Sequence, residues 1–179
     1  MTVLLLLALT AACSLPGWLP RLAAHGPVWW LSPAAAATGL AAAAALAAAV
    51  PATGGAVSGL ILSSAMLVAV LGGGPATVAV LRLASRPGGD VPPRAPDAPT
   101  PSEPGVLRGG AWIGALERAG VAATLLAGWP EGLAVVLAVK GLGRYPELRH
   151  PGAAERFIIG TLASVLWAAA AAGVGVLGR

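Results

Sequence analysis

The sequence predicts an all-α, polytopic helical membrane protein, and three observations carry that prediction. Only 10% of the 179 residues are charged, against roughly 25% in a soluble domain, so there is too little polar surface to cover a soluble fold of this size. Mean hydropathy is +0.82, concentrated in five to six apolar segments, several of which approach the roughly 20 residues that cross a bilayer as a helix. The basic residues fall between these segments rather than along one face. That is the positive-inside pattern, so the net charge of +4 points to a lipid bilayer as partner and not to nucleic acid.

The first segment, Thr2–Leu15, is short. A first transmembrane helix reaching toward Leu19 accounts for it. A cleaved signal peptide or a lipoprotein signal ending at Cys13 are the alternatives, although no basic residue precedes the apolar part. Pro16, Gly17 and Pro20 end the segment, and Trp29 and Trp30 suit the headgroup level. Leu31–Val50 follows, so rich in Ala that lipid alone drives its insertion weakly and close helix partners are needed. Ala56–Leu71 is the third segment. Gly72-Gly73-Gly74-Pro75 interrupts it and apolar character resumes over Ala76–Leu83, which reads either as a helix broken near Pro75 or as a helix with an interfacial tail. The glycines are no phosphate loop, because no Gly-Lys-Ser/Thr follows them.

Ser85–Gly109 holds seven prolines and few large apolar residues, the composition of a disordered linker. The chain therefore divides into N-terminal transmembrane helices over 1–84, a Pro-rich linker over 85–109 and a C-terminal membrane region over 110–179. In that last region Ala111–Gly128 is about 27 Å long as a helix, enough for one crossing. Gly128 suits a helix end, and Pro130 with Glu131 suits the first turn of another. Leu133–Leu142 continues apolar, and Ala153–Leu177 is the clearest span.

Charge counting separates a hairpin at 128–132 from a single helix kinked at Pro130. With a hairpin, Arg21, Arg82, Arg86, Arg94, Arg108, Lys140, Arg144, Arg149 and Arg156 share one side and Arg179 lies opposite, with Arg118 inside a helix. A kinked helix would put the basic loops on opposite sides, so the positive-inside rule favours the hairpin, six segments and both termini outside. The second arm, Pro130–Gly143, is about 21 Å by helical rise, and both a short span and a re-entrant arm fit it.

The hairpin places Glu117 and Lys140 level with one another, each 10–13 residues from the tip, so the two are expected to pair. Arg118, Arg144, Glu147, Glu155 and Arg156 complete a candidate charged network near the interface, with Thr161 and Ser164 one and two turns deeper on the last helix. Ionisable groups inside a bilayer are functional candidates by default, while near the interface snorkelling removes most of their cost. No nucleophile–base pair is evident, and neither His25 nor His150 has a ligand partner at metal spacing. The expectation is no catalytic residue, no cofactor and no metal.

Three stretches carry a resemblance: Gly114–Arg118, Ala138–Leu148 and Ala154–Leu162. They resemble an uncharacterised actinobacterial integral membrane protein family. More distantly, the C-terminal third is similar to the membrane region of bacterial proteins carrying domain of unknown function 3307, which show Leu-Glu-Arg, Ala-Lys-Ser, Arg-Phe-x-Glu-Leu and Ile-Gly-Thr-Leu elements in the same order. The resemblance implies an integral membrane protein of the bacterial inner membrane and brings no activity with it. Two roles follow as expectations. The first is a non-enzymatic scaffold or subunit of a membrane complex, with a membrane-protein partner or a homo-oligomer, suggested by small-residue faces at Gly110 and Gly114, at Gly160 and Ser164, and on the poly-Ala helix. The second is a small transporter or channel component using the polar cluster at the cytoplasmic membrane face.

Overall fold

The structure, a computed structural model, describes residues 2–15, 30–51, 54–85, 109–145, 149 and 151–179. Among these residues there are six α-helices and no strand: α1 (Thr2–Ser14), α2 (Leu31–Ala49), α3 (Ala56–Ala84), α4 (Gly109–Leu126), α5 (Gly132–Gly143) and α6 (Pro151–Leu177). The fold is all-α. Leu31–Ala49, Ala56–Ala84 and Gly152–Leu177 are each long and apolar enough to cross a membrane, and the chain is a membrane protein. Helices α1 and α5 are apolar but shorter, with 13 and 12 residues, about 20 and 18 Å by helical rise against a hydrocarbon core of about 30 Å.

The longest interface joins α3 to α6, so helices from before and after the linker form one bundle. Helix α1 lies against α2 and α3, α4 lies against α3 and α6, and the backbone of α5 comes closest to α4. The Ala-rich character of α2 has a direct use. Ala36, Ala43 and Ala47 are buried in the core with Leu40, and a Cβ on Gly39 would stand 2.6 Å from the Thr10 hydroxyl of α1. Small side chains let the two backbones approach, which is how helices without large apolar side chains gain contact. The hydroxyls on α1 are satisfied within the helix: Thr10 donates to the Leu6 carbonyl at 2.7 Å and Ser14 to the Thr10 carbonyl at 2.8 Å. Ser32 closes the start of α2 onto α1 by donating to the Cys13 carbonyl.

The Gly72–Pro75 stretch does not break the third helix. Helix α3 runs unbroken through Pro75 for 29 residues. The glycines are seats rather than stops, because Gly72 and Gly73 are buried against α6 and α4.

The turn between α4 and α5 is a hairpin, not a kink. Gly128 has φ 73°, its N–H donates to the Leu125 carbonyl at 3.1 Å, and the Trp129 N–H donates to the Thr124 carbonyl at 2.8 Å. This paired closure around a left-handed glycine is the Schellman C-cap. Pro130 and Glu131 then open α5 through successive tight turns, with Leu133 N–H donating to the Pro130 carbonyl. The tip is close-packed, since a Cβ on Gly132 would meet the Thr124 methyl at 2.5 Å. The reversal brings the end of α5 back beside the start of α4. At the same end lie the last turns of α3 and the first turns of α6, as Leu81, Gly110, Arg144 and Ala153 all border one space.

Candidate functional site

That space is a cavity of about 630 Å³ between α3, α4, α5 and α6. Its apolar walls come from Val78, Leu81, Ile113 and Phe157, and its charged lining from Glu117, Arg118, Lys140, Arg144 and Arg156. Among the described residues, four cations therefore face one carboxylate.

Three helices position the charged groups: Glu117 and Arg118 stand on α4, Lys140 on α5 with Arg144 at its C-terminal end, and Arg156 on α6. Glu117 and Lys140 form an ion pair across the α4–α5 hairpin, and their side chains are only 17% and 14% exposed. Two charges this far from water are costly singly and much less so together. Lys140 also lies 5.9 Å from the centre of the Phe157 ring, a cation–π distance that ties α5 to α6.

Arg118 turns the other way. It is buried at 4% exposure, and its Nε donates to the Val70 carbonyl of α3 at 3.0 Å. Gly73 makes this reach possible, because a Cβ there would stand 2.2 Å from the Arg118 side chain. The neighbouring glycine does the same for α6: a Cβ on Gly72 would meet the Trp167 ring at 2.3 Å, and the Trp167 indole N–H donates to the Val68 carbonyl at 3.0 Å. A backbone carbonyl has two lone pairs, so α3 keeps its helix while accepting these bonds.

Of the candidate network, Glu117, Arg118, Lys140, Arg144 and Arg156 thus share the cavity. Arg144 and Arg156 are exposed at its rim. Glu155 is exposed and is not part of the lining, since one residue's step along a helix turns the side chain by about 100°. Glu147 lies outside the described residues, as do His25, His150, Trp29 and the linker between 86 and 108. Ser164 borders the deep part of the cavity and is 5% exposed. Thr161 is also in the wall, with its hydroxyl buried and without a hydrogen-bond partner among the described residues.

Trp167 and the Gly72–Gly73 seat were not anticipated as parts of this region. The available signal was three successive glycines in a helix long enough to span, which in a membrane marks close approach by another element. Of the small-residue faces, Gly160 packs on α3, where a Cβ would stand 3.6–3.9 Å from Thr77 and Leu81, while a Cβ on Gly114 would stand 3.2 Å from the guanidinium of Arg118 on the same helix. Gly110 faces open space. Compared with protein-family models, with curated proteins and with solved structures, the chain matches none.

Proposed function

We propose that the chain is a multi-pass protein of the bacterial inner membrane with a non-enzymatic role, as a scaffold or subunit of a membrane complex. The observation that supports this reading best is the depth of the charged cavity. It reaches Arg118 and Ser164, and beyond them the helices are filled by Val121, Ala122, Trp167, Ala168 and Ala171, each at most 8% exposed. A polar group that ends against a packed core fits a structural role better than a conduit. The Glu117–Lys140 pair and the Arg118–carbonyl bond commit three of the charges to holding helices together. The hairpin arm supplies a surface for a partner, since α5 packs mainly on α4 while Leu116 and Val139 are 70% and 66% exposed.

The same reading places the basic end of the bundle in the cytoplasm, following the positive-inside rule. It also takes the C-terminal third as a distant relative of the membrane region found with domain of unknown function 3307. A small transporter or channel component is the second reading, favoured by the cationic lining of the cavity.

Reconstitution separates the two. Proteoliposomes holding the purified full chain are expected to show proton and ion flux at the empty-liposome rate. Photo-cross-linkers at Leu116 and Val139 in native membranes are expected to give one discrete protein adduct. Flux above background that Glu117→Gln abolishes would decide for transport.

A further inference from the structure

The pairing of two helices fixes how deep the cavity lies. Helices α3 and α6 run antiparallel, with Gly178 against Ile61 and Gly160 against Thr77 and Leu81. Their overlap therefore extends on α3 from Ile61 to the helix end at Ala84, about 35 Å by helical rise. A hydrocarbon core of about 30 Å that both helices cross fits this overlap with only about 5 Å to spare. The core is thus centred near Gly72 and Gly73, where Trp167 of α6 packs. Ser164 and Thr161 stand three and six residues from Trp167 toward the basic end, about 4.5 and 9 Å by rise. Both border the cavity, and both lie within the hydrocarbon thickness wherever the spare length is placed.

We infer that this cavity is a one-sided aqueous vestibule, filled with water from the basic face, closed at the Gly72–Gly73 seat, and bringing solvent to Glu117, Arg118 and Lys140 inside the bilayer. The polar lining decides between water and an acyl chain as the occupant. Glu117 and Lys140 border the cavity and keep 17% and 14% of their side-chain surface exposed. Arg118 spends its Nε on the Val70 carbonyl, and four further N–H donors remain on the terminal nitrogens. One of these nitrogens, Nη1, lies beside Gly114, another residue of the cavity wall. The Thr161 hydroxyl is buried in the same wall with no partner among the described residues, although Thr10, Thr38 and Thr77 each donate to the carbonyl four residues back. Hydrocarbon satisfies none of these groups, and ionisable side chains within a membrane face one another or a water-filled cavity. An apolar cavity stays dry, whereas a polar and roomy one holds water. The volume of about 630 Å³ takes on the order of twenty waters at roughly 30 Å³ each. The floor is dry by the same reasoning, because beyond Arg118 and Trp167 the helices close on Val121, Ala168 and Ala171, each at most 1% exposed.

The side on which the vestibule opens rests on the cytoplasmic placement of the basic end, and the test separates the two. Single cysteines are placed in the full chain carrying Cys13→Ala, which removes its one native thiol. Thr161→Cys and Thr77→Cys stand on two helices in the cavity wall. Leu162→Cys is the control for lipid exposure, since Leu162 is 55% exposed yet off the cavity, and Ala168→Cys is the control for the packed floor. Inverted membrane vesicles and right-side-out spheroplasts are treated with a small membrane-impermeant methanethiosulfonate, and the rate of thiol loss is read in the fraction that resists alkaline carbonate. A thiol reacts as the thiolate, a species that water supports and hydrocarbon does not. In inverted vesicles T161C and T77C are therefore expected to react on the order of tenfold or more faster than L162C and A168C, and in spheroplasts none of the four should react. Rates at T161C and T77C no faster than at L162C would overturn the inference, because the cavity would then be dry or filled by lipid. Reaction of T161C and T77C from both sides would overturn the closed floor. Reaction from the external side alone would support the vestibule and defeat the cytoplasmic placement of the basic end.

Discussion

The two ends of the α3–α4–α6 bundle are built on opposite principles. At the end near Leu177 the helices close on small residues. A Cβ on Gly175 would stand 3.0 Å from both Ala65 and Leu126, and one on Gly178 would stand 3.2 Å from Ile61. Val174 is 1% exposed and Ile61 3%, and Arg179 finishes this end by donating to the Leu126 carbonyl at 3.1 Å. At the other end Gly110 and Gly152 have nothing within 4 Å of a built Cβ, and long charged side chains border open volume. The boundary between the regimes is the Gly72–Gly73 seat, where Trp167 and Arg118 cross to α3. Close packing in lipid needs small residues, because apolar side chains gain nothing by leaving lipid for one another. Where charges are present, desolvation prevents equally tight closure, and space remains.

The sharpest way to break this comparison is to put bulk at the boundary. Gly72→Leu forces a side chain into the Trp167 ring and is expected to cost about 3 kcal/mol, the upper part of the usual overpacking range. Gly110→Leu at the open end should stay within about 0.5 kcal/mol of wild type, as surface changes do. Unfolding in detergent followed by tryptophan fluorescence compares them, and equal losses would mean that the two ends do not differ in packing.

A smaller effect is expected at the hairpin ion pair. Glu117→Gln and Lys140→Met should each destabilise by stranding a charge. The double variant should recover part of the loss, with a coupling of roughly 0.5–3 kcal/mol. Strict additivity in the double-mutant cycle would show that the pair holds no helices together.

The smallest expected change has the opposite sign. Thr161→Val removes a buried hydroxyl that has no partner among the described residues and keeps its shape, so stability should rise by up to about 1 kcal/mol. A loss of similar size in the same unfolding measurement would show that this hydroxyl is bonded in the folded protein.

The sequence by itself determined the fold class, the segment positions and the hairpin. Charge scarcity and apolar runs reflect solvent, and solvent preference is a local property of each stretch. Gly128 and Pro130 encode the turn in their own dihedral limits, left-handed φ at one and fixed φ at the other. Equal spacing from that turn also made the Glu117–Lys140 register legible, since helical rise is the same in both arms. Other features were decided by tertiary structure alone. Gly72–Pro75 reads locally as a break, yet packing from Trp167 and Arg118 keeps α3 helical through it, because glycine and proline propensities of about 1 and 3 kcal/mol are offset where neighbouring helices fill the space. Arg156 borders the cavity and Glu155 does not, a distinction set by how α6 is rotated against α3. Sequence spacing gives positions along a helix, whereas the direction each side chain faces depends on which neighbour the helix packs against.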